Sequence, residues 1–469
     1  MKQLTQSLTL FIISLCAQAQ PLSQELDRLI QSYVPMAQVG YTIMEAPTGR
    51  ILAEYQSQKN FAPASNTKLL SAYAAFKALG PKFQYTTQLF QEEQDWVMVF
   101  TGDPSLTTED VADLLAQIKK QGIQTLKGNL LVDDTLYSND PYASGLMFED
   151  LSWAYSAPVT TLTLDENAIP FKLTPGKAIG EKASIQISNS DRYPAITFKS
   201  DIVSVTDDKA QHHCHLTVNI DSLNYQFGGC WPVSESEVTL KAAIQDPKAR
   251  FEALIPQLLN KAGIDFKGKV IFKKSNTKDL KILAEHRSAP LRELLKPILA
   301  DSNNHYANAI LKTLGYQTLG EGTFKGGVLA TKTFLKPTGI DTKLIQIEDG
   351  AGTSYYNLAS PNVFARLLHH IYDDTNTKLA FMDSLAIAGQ SGTLKSKFQA
   401  QSITGRVRAK TGSMTGVSNL SGYLRTQAET DIIFSFMLNG AIVDKGVLNQ
   451  LLTEFCYLLV FHPETNRKT

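Results

Sequence analysis

The stretch 63-PASNTKLLSAYAAFKAL-79 decides how the rest of the chain is read. Leu69, Leu70, Tyr73, Phe76 and Leu79 recur at helical spacing with alanines between them. Pro63, Ser65 and Asn66 stand at the start, and Gly80 stops the run. The pattern predicts a helix apolar enough to pack inside a domain. Lys68 lies three residues after Ser65, on the same face. Burying an ammonium group is costly, so a lysine beside a serine here calls for a chemical reason.

Two later stretches supply one. Ser302-Asn303-Asn304 lies in 301-DSNNHYAN-308, and Lys410-Thr411-Gly412 lies in 409-AKTGSM-414. The order S-x-x-K, S-x-N, K-T-G resembles the signature of penicillin-binding proteins and serine β-lactamases. Each piece has an ordinary alternative. Ser65 suits an N-cap, Ser302 to Asn304 suit a turn, and Lys410 to Gly412 suit a strand ending in a glycine turn. The chemical reading rests on all three in order, on a helix start, a loop between helical segments and a strand edge.

The chemistry needs these residue types. A serine hydroxyl is a poor nucleophile without an adjacent base. Burial and the nearby charge of Lys410 should lower the pKa of Lys68, so that a neutral amine takes the proton. Ser302 suits a proton relay to the leaving amine, and Asn304 suits a substrate amide. Lys410 and Thr411 suit a substrate carboxylate, and Gly412 lets a substrate strand lie close to the sheet edge. The backbone N–H groups of Ser65 and Ser413 would form an oxyanion hole.

The 469 residues exceed one core, so two or three domains are expected. Lys+Arg and Asp+Glu both number 45, which argues against nucleic-acid binding by bulk charge. Lys2, the apolar run 8-LTLFIISL-15 and Ala17-Gln18-Ala19 predict a cleavable export signal over residues 1–19, and hence a periplasmic protein. A lipoprotein reading through Cys16 is weakened by the bulk of Leu15. The apolar core is too short for a membrane anchor. Asn449, Gln450 and Glu454 mark 447-VLNQLLTEFCYLLVF-461 as a core helix instead of a span. Cys214 and Cys230 could pair in an oxidising compartment, and Cys456 reads as a buried thiol. A metal at 212-HHCH-215 is opposed by strand alternation, which sends neighbours to opposite faces. No metal or cofactor is expected.

The fold class is α/β (α+β). Strand-like runs at 38–46 and 50–56 and at 406–413, 417–426 and 431–439 could share one antiparallel sheet, giving a first domain from residues 20–80 and 285–469. Two units, 109–134 and 251–274, repeat one plan of helix, Gly-Ile, Lys-Gly and strand. They predict an inserted α/β domain built from 81–164 and 240–284. The strand-rich segment 165–239 would be nested within it.

The distance from Ser65 to Ser302 is much longer than in compact β-lactamases. Together with 102-GDPSL-106, 128-GNLLVDDTLY-137, 349-DGAGTSYYNLASP-361, 389-GQSGTLKSKF-398 and 409-AKTGSMTGVSNLSGYL-424, it resembles one family. That family is the penicillin-binding D-alanyl-D-alanine carboxypeptidases/endopeptidases of the penicillin-binding protein 4 type (peptidase family S13). The resemblance implies a penicillin-binding catalytic domain with an acyl-enzyme at Ser65. Its substrates would be peptidoglycan stem peptides, and β-lactams would acylate the same serine. It implies further substrate contacts at Asp150, Tyr155, Tyr355 and Thr415, with Asp150 and Tyr155 facing the diaminopimelate side chain. Two positions depart from the family. Tyr355 replaces an arginine, which puts a charged contact to a side-chain carboxylate in doubt, and Asn303 replaces an aspartate. A β-lactamase or esterase on the same scaffold, and a non-catalytic wall-binding protein, are the competing readings.

Overall fold

The computed structural model describes residues 20–212, 214–399 and 402–467. The signal segment read above, with Cys16, lies outside them. Among the described residues no helix is long and apolar enough to cross a membrane.

Strands from both ends of the chain share one six-stranded sheet. Its order is Ala386–Ile387, Val407–Met414, Val417–Arg425, Asp431–Asn439, Gln38–Glu45 and Ile51–Tyr55, with every neighbour antiparallel. Strand alternation assigns its two faces. Ile432, Phe434, Phe436 and Leu438 share a core with Leu26 and Ile30 of the helix Leu22–Tyr33 and with Phe455 and Leu459 of the helix Lys445–Phe461. Ile433 and Met437, on the opposite face, join Leu69, Tyr73, Leu295 and Phe364. Those four belong to the helices Thr67–Leu79, Leu291–Leu299 and Pro361–Asp373. The sheet is thus buried on both faces.

The two repeated units lie side by side. Thr125–Leu126 pairs in parallel with Asp265–Phe266, and Leu130–Asp133 with Val270–Phe272. Their helices, Thr108–Lys120 and Pro247–Lys261, share a core through Leu114, Ile118, Leu254 and Ile255. Asp95–Val99, Thr86–Glu92 and Lys281–Arg287 complete a five-stranded sheet.

The segment between the units forms small sheets. Val238–Ala243, Ala168–Thr174 and Ser184–Ile187 make one of them, and Thr217–Asp221, Asn224–Gly228 and Thr197–Ser200 another. Phe171, Tyr225, Phe227 and Ile244 close their core. One short helix, Asp207–His212, interrupts the strands, too brief to show a periodicity. Cys214 and Cys230 are disulfide-bonded, which takes the thiol out of any metal set at 212–215. Cys456 is buried, and burial pushes its thiol pKa up. Arg250 is fully buried where the segment joins the second unit. It donates to the Leu164 carbonyl at 2.8 Å, pairs with Asp165, and lies 4.8 Å from the centre of the Tyr193 ring.

Candidate active site

Ser65 sits in the 3-10 turn Ala64–Asn66, ahead of the helix Thr67–Leu79. The cap position is Asn66, and no side chain caps the first turn, so the N-cap alternative for Ser65 is not realised. Ala64 has φ +46°, a left-handed conformation that a residue with a Cβ rarely adopts. Its surroundings impose it. Ala62 N–H donates to Asn439 Oδ1 at 2.7 Å, Asn419 Nδ2 donates to the Ala62 carbonyl at 2.9 Å, and Asn66 Nδ2 donates to Ser421 Oγ at 2.8 Å. Three strand residues thus pin the serine turn to the sheet.

Lys68 is completely buried. Its Nζ lies 2.9 Å from Ser65 Oγ, 2.7 Å from Asn304 Oδ1 and 2.7 Å from the Ala351 carbonyl oxygen. Those three partners match the three donors of an ammonium group. Burial lowers its pKa to about 7, against the pull of the Asp349 carboxylate. A neutral amine at this distance from a hydroxyl is placed to take its proton.

Asp349 was not a sequence candidate, although its stretch was part of the resemblance. It is fully buried and accepts from Gly352 N–H at 2.8 Å, Thr353 N–H at 2.8 Å and Asn357 Nδ2 at 2.7 Å. These bonds shape the loop that aims Ala351 at Lys68. A Cβ on Gly352, where φ is +81°, would stand 1.8 Å from the Ala64 carbonyl oxygen, so only glycine fits.

A second lysine–hydroxyl pair stands opposite. Lys410 is also completely buried, and its Nζ donates to Ser302 Oγ at 2.8 Å and to the Thr411 carbonyl at 2.9 Å. Ser302 has φ +62°. Burial first, and the charge of Lys68 second, hold Lys410 well below the ordinary lysine range. The two buried amines thus repel one another's charge, and both are held below the ordinary lysine range.

Asn304 opens the helix Asn304–Leu319. Its Oδ1 accepts from Lys68, and its Nδ2 donates to the Tyr155 carbonyl at 2.8 Å, leaving one amide proton for another partner. Asn303 does more than form a turn. Its Oδ1 caps the helix at Tyr306 N–H, 3.1 Å away, and its Nδ2 donates to Glu166 Oε2 at 2.7 Å. An aspartate there would face Glu166 as a like charge, whereas the amide donates to it. That is a local reason for asparagine at this position.

The strand Val407–Met414 carries Lys410, Thr411, Gly412 and Ser413. The Val407 carbonyl accepts from Ala388 N–H at 3.0 Å, on the outer side of the strand. By alternation the backbone groups of Thr411 and Ser413 face the same side, beyond the short outer strand Ala386–Ile387, where the edge is open. The Thr411 hydroxyl donates to Thr393 Oγ1 at 2.9 Å. Thr393 is a second contact that no motif named. Gly412 has a different reason from the one expected. A Cβ there would meet the Pro63 carbonyl at 2.6 Å, so the missing side chain makes room for the serine turn.

The Tyr155 hydroxyl donates to Asp150 Oδ1 at 2.7 Å, and burial together with this contact raises its pKa. The Tyr155 carbonyl bond to Asn304 ties both residues to the cluster. Tyr355 stands close enough to Tyr155 to influence its ionisation, and its N–H donates to the Gly145 carbonyl at 3.0 Å. Thr415 is exposed in the turn that follows Met414, at the open end of the same edge. Lys68, Lys410 and Asp349 are thus buried, with Asn304 partly so, about Ser65 and Ser302, while Tyr155, Tyr355 and Thr415 are exposed and Asp150 half-buried.

The chain matches the sequence pattern of the D-Ala-D-Ala carboxypeptidase 3 (S13) family over residues 22–453. It is 30% identical over 424 residues to the D-alanyl-D-alanine carboxypeptidase DacB of Haemophilus influenzae, covering 88% of this chain and 87% of that one. It is 29% identical over 448 residues to a D-alanyl-D-alanine carboxypeptidase of Actinomadura sp., covering 89% and 81%. The crystal structure of penicillin binding protein 4 from Haemophilus influenzae superposes with a TM-score of 0.84 at 28% identity, over 93% of this chain and 99% of that one. The same protein complexed with a β-lactam superposes with a TM-score of 0.78. The mixed helix and strand architecture is accordingly that of penicillin binding protein 4, a DD-peptidase-like fold with additional domains. Fold, motif order and match over most of the length agree: this chain belongs to the D-Ala-D-Ala carboxypeptidase 3 (S13) family.

Proposed function

We propose that this protein is a serine DD-peptidase that acts on peptidoglycan stem peptides through an acyl-enzyme at Ser65, and that β-lactams acylate the same residue. The observation that carries this is the buried amine of Lys68 at 2.9 Å from the Ser65 hydroxyl, with its pKa lowered to about 7. In this reading neutral Lys68 takes the Ser65 proton as Oγ attacks the carbonyl of the penultimate D-alanine. The tetrahedral oxyanion is received by the N–H groups of Ser65 and Ser413. The proton taken by Lys68 passes through Ser302, whose hydroxyl Lys410 holds at 2.8 Å, to the departing amine, and the C–N bond breaks to release D-alanine and leave Lys68 neutral. Water then attacks the ester, with Lys68 again as base, and Ser65 is regenerated. The terminal carboxylate of the substrate meets Lys410 and Thr411. Asp150, Tyr155, Tyr355 and Thr415 line the rim where the stem side chains lie.

The same reading divides the chain into a catalytic domain (20–80 and 285–469), an inserted α/β domain (81–164 and 240–284) and a nested β-rich domain (165–239). It places the protein in the periplasm after loss of residues 1–19. Support comes from the two relatives named as D-alanyl-D-alanine carboxypeptidases and from the β-lactam complex of the Haemophilus protein. Intact-mass measurement over time with benzylpenicillin tests it. A long-lived adduct on the unaltered protein, absent in Ser65→Ala, is the expected result. An adduct that persists in Ser65→Ala removes Ser65 as nucleophile, and rapid penicillin turnover makes the protein a β-lactamase.

A further inference from the structure

Three successive residues at the start of the nested β-rich segment have positive φ: Asp165 at +49°, Glu166 at +60° and Asn167 at +49°. Residues with a Cβ rarely adopt this left-handed conformation, and then singly more often than in runs. Aspartate and asparagine tolerate it best, because their short side chains bond to the nearby chain. The two outer residues follow that rule. Asp165 accepts from Thr108 N–H at 3.1 Å and from the Thr108 hydroxyl at 2.6 Å. Asn167 Oδ1 accepts from Leu164 N–H at 3.3 Å, and its Nδ2 donates to the Pro158 carbonyl at 3.0 Å. The Asn167 carbonyl accepts from Ile244 N–H at 2.8 Å, where the chain leaves the nested segment.

The middle residue is different. Glu166 reaches out of the turn and accepts from Asn303 Nδ2 at 2.7 Å, across 137 residues of sequence. A glutamate has no conformational reason to stand in a left-handed turn. What the position uses is its side chain, held outward by two anchored neighbours.

Asn303 lies between Ser302 and Asn304, and three bonds fix it. Its N–H donates to the Pro297 carbonyl at 2.9 Å, its Oδ1 accepts from Tyr306 N–H at 3.1 Å, and its Nδ2 meets Glu166. Ser302, just before it, is itself left-handed at φ +62° and receives Lys410 at 2.8 Å. Asn304, just after it, receives Lys68 at 2.7 Å. A rotation of Asn303 therefore displaces a hydroxyl on one side and an amide on the other. The carboxylate charges felt by the two buried lysines are those of Asp349 and Asp301, so Glu166 acts through Asn303 and not on the lysines.

We propose that Glu166 is a positioning residue for the reaction: from the left-handed turn it locks Asn303, and through Asn303 it sets the Ser302 hydroxyl for proton transfer to the leaving amine. This rests on the DD-peptidase reading. It makes the first residues of the nested segment part of the catalytic frame.

The test compares kcat/KM of the full chain for an acyl-D-Ala-D-Ala peptide and for its thioester analogue. The peptide releases an amine, which must gain a proton as the C–N bond breaks. The thioester releases a thiolate, which leaves without one. Asn303→Asp keeps the helix cap and sets a second carboxylate against Glu166. It is expected to lower kcat/KM on the peptide at least about tenfold, and on the thioester less than about twofold. Asn303→Asp combined with Glu166→Gln restores the bond with donor and acceptor exchanged, and should recover most of the loss on the peptide. Glu166→Ala removes the bond without adding a charge. It should show the same split between substrates more weakly, which gives an answer even if Asn303→Asp does not fold. Equal losses on the two substrates overturn the proposal, and so does a double variant no better than Asn303→Asp on the peptide. In those cases a benzylpenicillin adduct and peptide turnover by the unaltered protein leave the DD-peptidase reading standing. No adduct and no turnover of either substrate by the unaltered protein removes that reading, and this inference with it.

Discussion

Lys68 Nζ donates to the main-chain oxygen of Ala351 at 2.7 Å, across 283 residues of sequence. Asp349 sets that contact without a hydrogen bond to Lys68, by accepting from Gly352, Thr353 and Asn357. The lysine is therefore aimed by a loop as well as by its helix, and its protonation responds to the carboxylate that holds the loop.

The first prediction concerns pH. In the proposed mechanism Lys68 acts when neutral, and burial lowers its pKa to about 7. The rate of acylation by benzylpenicillin should rise as pH rises through about 7 and level off above. The Asp349 charge raises the pKa of Lys68. Asp349→Asn should therefore move this limb to lower pH, while the loosened loop costs up to about 100-fold in rate. A limb that stays in place would show that the carboxylate acts on the loop alone.

The second concerns the other pair. Lys410 and Ser302 are 2.8 Å apart, so their variants should not be additive. In a cycle of Ser302→Ala, Lys410→Ala and the double variant, acylation rates should show a coupling of about 0.5 to 3 kcal/mol. Independent effects would mean that Ser302 works without Lys410.

Gly352 tests the loop by sterics. A Cβ there would sit 1.8 Å from the Ala64 carbonyl. Gly352→Ala should destabilise by about 1 to 3 kcal/mol in urea unfolding and abolish acylation. Near-normal acylation would mean that the serine turn tolerates displacement.

Arg250 tests the junction with the nested segment. It is buried against Asp165, Leu164 and Tyr193. Arg250→Met removes the buried partner of Asp165, leaving Arg192 at 4.0 Å and the Thr108 donors, and should cost about 3 kcal/mol. Burial raises the Asp165 pKa, but Arg250 and Thr108 lower it further, so the net shift is downward. That stabilisation is present above the unfolded carboxylate pKa of 3.8 and is lost as pH falls through the lower folded value. Acid unfolding should then begin at higher pH in Arg250→Met, read by circular dichroism.

Much of the architecture was legible in the chain. The strand runs near each end stand out as short apolar runs bounded by turn residues, and the two repeated units share their turn residues, because local geometry is written in local spacing. The motifs that name Ser65, Lys68, Ser302, Asn304 and Lys410 were legible for the same reason, since each is a few residues long. Asp349, Thr393 and Glu166 were not, because their partners lie far along the chain and no spacing encodes them. Gly412 was read for the wrong neighbour, as sequence cannot show that Pro63 occupies the space beside it.

Sequence by itself determined which elements form and which short motifs stand out, because periodicity and motifs are properties of adjacent residues. Tertiary structure alone decided which carbonyl holds Lys68, which hydroxyl meets Lys410, and which carboxylate shapes the loop beside them. Those follow from burial and distance between segments hundreds of residues apart, and they exist only once the sheet has closed.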